Sequence, residues 1–215
     1  MFNDSEKKSI ESLIDQIINN RISFITLGPT GTSSHATLLA LSEEIKRLRP
    51  DTDIEISLKN TFDEVYRIML IEDSESFALV PAAYERVTEF FWNSELENIY
   101  NFSYNTPRYG LAVKKEFRKT NKESLVVASC PAVAKLFDTL KKDSDINDNP
   151  ITYIRTSSTA EAALAVMDQK ADIAVTNETS TRKFSGELVF ISPQKQSEML
   201  WCVFKRKTKE SISIH

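Results

Sequence analysis

Cysteine occurs only twice in the 215 residues, at Cys130 and Cys202, too few for a disulfide scaffold, and two histidines are too few for most metal sites. Glycine is scarce as well, with four in the chain, and neither glycine-rich phosphate motif occurs. There is no GxGxxG, and in Gly28-Pro-Thr-Gly31-Thr-Ser the second glycine is followed by threonine where GxxxxGK[ST] requires lysine. That turn suits a carboxylate better than a pyrophosphate. An excess of positive charge is also missing. The net charge is −4 and the pI about 5.4, which argues against nucleic acid as a main partner, because phosphate backbones select basic surfaces. The one basic cluster, KKEFRK at 114–119, lies between two strand-like runs and reads as a solvated loop. No window approaches a membrane span, and the opening MFNDSEKKSIES has no apolar core of signal-peptide length, so neither a membrane partner nor export is expected. A cytoplasmic location is the default expectation.

What is present is an ordinary globular composition, 41% hydrophobic and 27% charged, in a chain long enough for one large domain or two lobes. Residues 4–19 place Ile10, Leu13, Ile14, Ile17 and Ile18 on one helical face. Whether this helix packs on the body or on a second subunit is open at this point, and so is a homodimer. From Arg21 onward strand-like and helix-like runs alternate. ISFITL precedes SSHATLLALSEEIKRL, IEISL precedes TFDEVYRIML, and FALV precedes AAYERVTEFFWN. Beyond these, YGLAV and LVVAS lead to PAVAKLFDTL, ITYIRT to STAEAALAVMD and ADIAVT to NETSTRKF, before LVFI and MLWCVF. Thr61 with Glu64, and Ser158 with Glu161, have capping-box spacing. The residues 141–149, KKDSDINDN, read as the clearest loop. This pattern predicts a parallel-rich α/β fold with helices on both faces.

Four strand-to-helix junctions carry small hydroxyl residues: Thr30/Thr32/Ser33, Thr61, Ser129 and Ser158/Thr159. Ligands of open α/β sheets bind at the carboxyl ends of the strands, where helix N-termini offer free N–H groups. Each such residue could simply cap its own helix. Four together point to an anion site.

The segments GPTGTSSHA (28–36), ALVP (78–81), SCPAVAK (129–135) and STAEAALAV (158–166), with weaker support from ADIAVTNE (171–178), resemble the catalytic domain of prephenate dehydratases, from about Arg21 to Phe204. The resemblance implies two Rossmann-like lobes similar to a type II periplasmic binding protein, with the ligand cleft between them. The expected division is a helical extension over 1–20, lobe 1 over 21–104 plus 188–206, lobe 2 over 105–187 and a tail over 207–215. The departures narrow the resemblance. Dehydratases follow valine-proline with Glu-Asn-Ser, where this chain has Ala82-Ala83-Tyr84, and their late Thr-Arg-Phe motif falls at Met199-Leu200-Trp201. Thr181-Arg182-Lys183-Phe184 imitates that motif but lies in the preceding helical segment and is interrupted by Lys183. The regulatory domain that often follows is not found, with about ten residues left after Phe204. The segments TFDEVYR (61–67), VPAAY (80–84), NTPRYGLAV (105–113) and MLWCVF (199–204) are closer to the non-aromatising prephenate decarboxylases of bacilysin-type pathways.

The implied activity is a cofactor-independent carboxy-lyase acting on prephenate, with the 4-hydroxyl retained. Such an enzyme must grip one carboxylate, leave the ring carboxylate poorly solvated, avoid assisting the hydroxyl and deliver a proton to a ring carbon. Candidate binding residues are Thr30, Gly31, Thr32, Ser33, Arg108, Ser129, Ser158, Thr159, Met199 and Trp201; Met199 and Leu200 stand in place of the missing hydrogen-bond donor and charge. Arg108 would pair with a carboxylate bidentately. Tyr84, Tyr109 and His35 are candidate proton donors on residue type alone, the two tyrosines being preferred; Glu178 could orient a donor, and Cys130 reads as structural. Two other readings remain, a dehydratase with an altered motif and a non-catalytic module binding small carboxylates.

Overall fold

The computed structural model describes residues 10, 11, 13–15, 21–71, 75–117, 124–144, 146, 150–184 and 186–207. The remainder of the expected N-terminal helix, residues 118 and 119 of the basic cluster, most of the loop at 145–149 and the tail from 208 lie outside the described residues. The chain forms two compact units: one of Met1–Gly28, Ser34–Asn105 and Glu198–His215, the other of Pro29–Ser33 and Thr106–Ser197.

The first unit is built on a five-stranded sheet in the order β2-β1-β3-β10-β4. Its strands are β1 (Arg21–Leu27), β2 (Asp53–Lys59), β3 (Ser76–Pro81), β4 (Leu96–Asn105) and β10 (Glu198–Arg206). The first three are parallel, whereas β10 runs antiparallel to both β3 and β4, so the sheet is mixed and not simply parallel-rich. No strand was expected over 96–105, because asparagines and serines interrupt its apolar run. It becomes a strand because β10 offers a full edge to it, with Leu96, Tyr100 and Phe102 buried.

Alternation along β10 sends Trp201 and Val203 to one face and Cys202 and Phe204 to the other. The first face is covered by Leu38, Leu41 and Ile45 of α1 (Ser33–Leu48) and by Ile10, Leu13 and Ile14. Residues 10, 11 and 13–15 are helical, and this stripe packs on the unit's own core. The second face is covered by Phe62, Val65 and Met69 of α2 (Phe62–Met69) and by Phe90 of α3 (Val87–Trp92). Helix α3 starts three residues after Tyr84, so that tyrosine lies in the preceding turn and does not head the helix as expected.

The second unit repeats the same plan in the order β7-β6-β8-β5-β9. Here β6 (Leu125–Ser129), β7 (Ile151–Arg155) and β8 (Ile173–Asn177) are parallel, and β5 (Tyr109–Lys114) is antiparallel to β8 and to β9 (Leu188–Phe190). The expected boundary is corrected accordingly: residues 188–197 belong with the second sheet, because β9 pairs with β5 through Ala112↔Phe190, Val113↔Val189 and Lys114↔Leu188. The expected single helix over PAVAKLFDTL is two short ones, α4 (Pro131–Ala134) and α5 (Leu136–Leu140), with a 3₁₀ turn after them. Helix α6 (Thr159–Met167) packs through Ala162, Ala163 and Ala165 against Ala112, Ala128 and Ala174, small side chains that let helix and sheet approach closely. Both N-caps form, Glu64 N–H donating to Thr61 Oγ1 and Glu161 N–H to Ser158 Oγ, each at 3.1 Å, while the two carboxylates reach back to the N–H of the residue before the cap, Asn60 and Ser157.

Candidate functional site

Strand register decides which residues meet. Tyr109 opens β5 directly opposite Asn177, the last residue of the antiparallel β8. Asn177 is fully buried and caps α7 (Glu178–Arg182), its Oδ1 accepting the Ser180 N–H at 2.9 Å. Its Nδ2 donates to Thr159 Oγ1 at 3.2 Å and to Ser33 Oγ at 3.5 Å. The Ser33 hydroxyl is in turn hydrogen-bonded to the Tyr109 hydroxyl. Thus the Ser33 turn, the start of β5, the end of β8 and the first residue of α6 converge through polar side chains in the second unit.

The Pro29–Ser33 turn is held against α7 by two further bonds. Ser180 Oγ donates to the Gly31 carbonyl at 3.0 Å, and Lys183 Nζ donates to Thr30 Oγ1 at 2.8 Å. Gly31 has φ +95°, the backbone conformation that favours glycine, and a Cβ there would stand 2.7 Å from Lys183 Cε, so the end of that lysine side chain would have to shift. Desolvation lowers the Lys183 pKa from its ordinary value, although the residue as a whole is exposed.

Tyr109 is almost entirely buried, and burial pushes its pKa up. The hydrogen bonds from Ser33 and Asn177 oppose that shift, while the nearby Cys130 adds to it. Tyr109 is therefore a protonated phenol across the neutral range, with two polar partners ready to accommodate the phenolate. Cys130 is itself a buried free thiol, raised to about 11 by burial, and so stays protonated. This fits a structural role for it.

The remaining expected site residues are placed as follows. Ser158 is used as the cap of α6, and its neighbour Thr159 is the one that joins the cluster. Ser129 is buried at the end of β6 and donates to the Cys130 carbonyl at 3.1 Å. Thr32 is buried in the turn beside Ser33. Arg108 is held by its backbone, its N–H donating to Glu178 Oε1 at 3.1 Å while its carbonyl accepts the Glu178 N–H at 2.9 Å. Glu178 also takes Arg182 at 2.8 Å, so its carboxylate anchors the start of β5.

In the first unit, the Tyr84 hydroxyl donates to Asp63 Oδ1 at 2.8 Å, and Arg86 meets the same oxygen at 2.7 Å. Burial and Asp63 raise the Tyr84 pKa. That proton is already committed to a carboxylate. Met199 is half-buried against the core, Leu200 is exposed, and Trp201 is buried in the core beside α1, its indole N–H without a partner among the described residues. His35 is half-buried on α1.

Asn177, Ser180 and Lys183 were not singled out by sequence reading. Asparagine at the end of a strand before Glu-Thr-Ser is a capping signal and could have marked Asn177. For Lys183 no local signal exists, because its partner lies 153 positions away. No group of three or more metal-ligating side chains occurs among the described residues.

No family model matches the chain. A prephenate decarboxylase of Planktothrix agardhii (strain NIVA-CYA 126/8) is 35% identical over 187 residues, covering 85% of this chain and 87% of the relative. A prephenate decarboxylase of Bacillus subtilis (strain 168) is 30% identical over 200 residues, covering 92% and 91%. Among solved structures, a prephenate dehydratase of Arthrobacter aurescens in complex with L-Phe superposes with a TM-score of 0.59 at 14% identity. It covers 87% of this chain, which spans 61% of that dehydratase's length. A periplasmic transporter gives a TM-score of 0.60 at 11% identity over 89% of this chain and 79% of its own. At these identities the structural likeness concerns the fold, two lobes of the periplasmic-binding-protein type. Among the described residues no helix is long and apolar enough to cross a membrane.

Proposed function

The chain belongs to the prephenate decarboxylase family, and from that premise we propose that it releases carbon dioxide from prephenate without aromatising the ring. The bond to the ring carboxylate breaks and its electron pair passes into the ring diene. A ring carbon takes up one proton and the 4-hydroxyl stays, giving a dihydro-4-hydroxyphenylpyruvate. Written this way the reaction balances with no cofactor.

The observation that carries this reading is Tyr109, a buried protonated phenol bonded to Ser33 in the turn suited to a carboxylate. Tyr109 delivers the proton and regains it from water. The Thr30–Ser33 turn and the Lys183 ammonium beside it receive a substrate carboxylate, with Thr159 adding a hydroxyl. Charged and preorganised donors of this kind stabilise an anion without rearranging. Tyr84 is the weaker donor candidate, since its proton is already given to Asp63. Trp201, enclosed in the core of the first unit, is not available to a substrate, whereas Arg108, Ser129 and Ser158 frame the site in this reading. It further takes the product toward a non-proteinogenic amino acid or an antibiotic of the bacilysin–anticapsin type, made in the cytoplasm by a homodimer.

Incubation of the purified protein with prephenate, followed by ultraviolet spectra and product mass, tests the proposal. The expected product has lost carbon dioxide, kept its hydroxyl and gained no aromatic absorbance. Phenylpyruvate would indicate a dehydratase instead, and tight binding without turnover a binding module.

A further inference from the structure

The buried amide of Asn177 has its orientation fixed by its surroundings. The Ser180 N–H can only donate, so the atom 2.9 Å from it must be Oδ1, and the amide nitrogen faces Ser33, Thr159 and Tyr109. An amide nitrogen only donates. The Ser33 oxygen therefore receives a hydrogen from Asn177, which leaves the Ser33 O–H free to point at the Tyr109 oxygen. Hydrogen bonds in such a chain strengthen one another. The chain ends at the phenol, whose own hydrogen is then not spent on Ser33.

We propose that Asn177 is the positioning residue of the proton donor: its amide sets the direction of the Asn177–Ser33–Tyr109 chain, so that Tyr109 points its hydrogen outward and its phenolate is received by the Ser33 hydroxyl once that hydrogen is given away. This rests on the reading of Tyr109 as the donor. The other ionisable group felt at the Tyr109 hydroxyl is Cys130, a protonated thiol at working pH. Glu161, the one charge felt at that thiol, is bound by the Ser157 N–H and hydroxyl. On α7, Glu178 is held by Arg108 and Arg182, and just beyond that helix Lys183 is held by Thr30. None of them competes for the Asn177 amide.

The test is Asn177→Asp, which keeps the oxygen capping Ser180 and replaces the donor by an acceptor. The introduced carboxylate would draw the Ser33 hydrogen toward itself and turn the chain around. At pH 8 kcat should fall roughly 10- to 100-fold, the worth of one hydrogen bond to a charged group, with KM little changed. As pH drops and the introduced carboxyl takes up a proton it can donate again, so kcat should recover toward the parent value. Packing alone would give no such acid recovery. If that variant fails to fold, Asn177→Ser keeps a short capping oxygen without the reach to Ser33, and should lose kcat at every pH. A folded variant of either kind with the parent kcat and pH profile overturns the inference. Tyr109→Phe separates the two levels: full turnover in it removes Tyr109 as donor and this inference with it. Loss in Tyr109→Phe beside an unchanged Asn177→Asp overturns only the role of Asn177.

Discussion

The Ser180 hydroxyl donates to the Gly31 carbonyl at 3.0 Å across 149 positions of sequence, fastening the Pro29–Ser33 turn to α7. The turn is thereby part of the second unit although β1, which leads into it, belongs to the first. The polar cluster around Tyr109 depends on this fastening, because Ser33 is its first member.

Gly31→Ala should loosen the turn. The residue sits at φ +95° and the new methyl would press on Lys183, so a loss of about 1–3 kcal/mol is expected from backbone strain alone. Thermal unfolding reads the stability and initial rates read the KM for prephenate, which should rise. Unchanged values of both would show that the turn tolerates a side chain.

Lys183→Met keeps the aliphatic stem and removes the charge beside Thr30. The KM for prephenate should rise about 10-fold, the order expected for one partly screened charge pair, with kcat less affected. The parent KM should also climb with salt more steeply than that of the variant. Equal salt slopes would remove Lys183 from the binding step.

Met199→Thr combined with Leu200→Arg restores the residue types of the dehydratase motif. Leu200 is 46% exposed and accepts arginine readily, whereas Met199 packs on the core and its replacement should cost roughly 1–2 kcal/mol. A fraction of turnover is expected to pass to phenylpyruvate, followed by its absorbance. A folded double variant with the parent product ratio would separate these positions from the outcome at the hydroxyl.

Cys130 should resist thiol reagents at pH 7–8 in the folded protein and react once unfolded. Its pKa is raised from 9.0 to about 11, because burial penalises the thiolate. The sign follows from proton binding: above pH 9 the unfolded chain gives up this proton while the folded chain keeps it, so stability falls as pH rises toward 11. The loss is roughly 2–3 kcal/mol at most. Tyr109, also raised by burial, adds to the same decline above its ordinary range. Urea unfolding at pH 8 and pH 10.5 measures it, and Cys130→Ala should flatten the difference.

Much of this protein is written locally. Period-two and period-3.6 apolar patterns mark most strands and helices, and hydroxyls three residues before glutamates mark the starts of α2 and α6. The short motifs GPTGTSSHA and STAEAALAV carry the family and the fold it uses. Each of these signals lies within about ten residues, where backbone geometry and side-chain spacing act directly.

What only the tertiary structure decides is pairing between distant segments. Strand β4 exists because β10 supplies its hydrogen bonds, and 188–197 joins the second unit because β9 finds β5. Asn177 meets Tyr109 because two antiparallel strands align there, and Lys183 meets Thr30 because a turn is folded back onto α7. No local pattern encodes such meetings. They depend on which strand edges remain open, and on which buried polar groups need partners, once the rest of each core has formed.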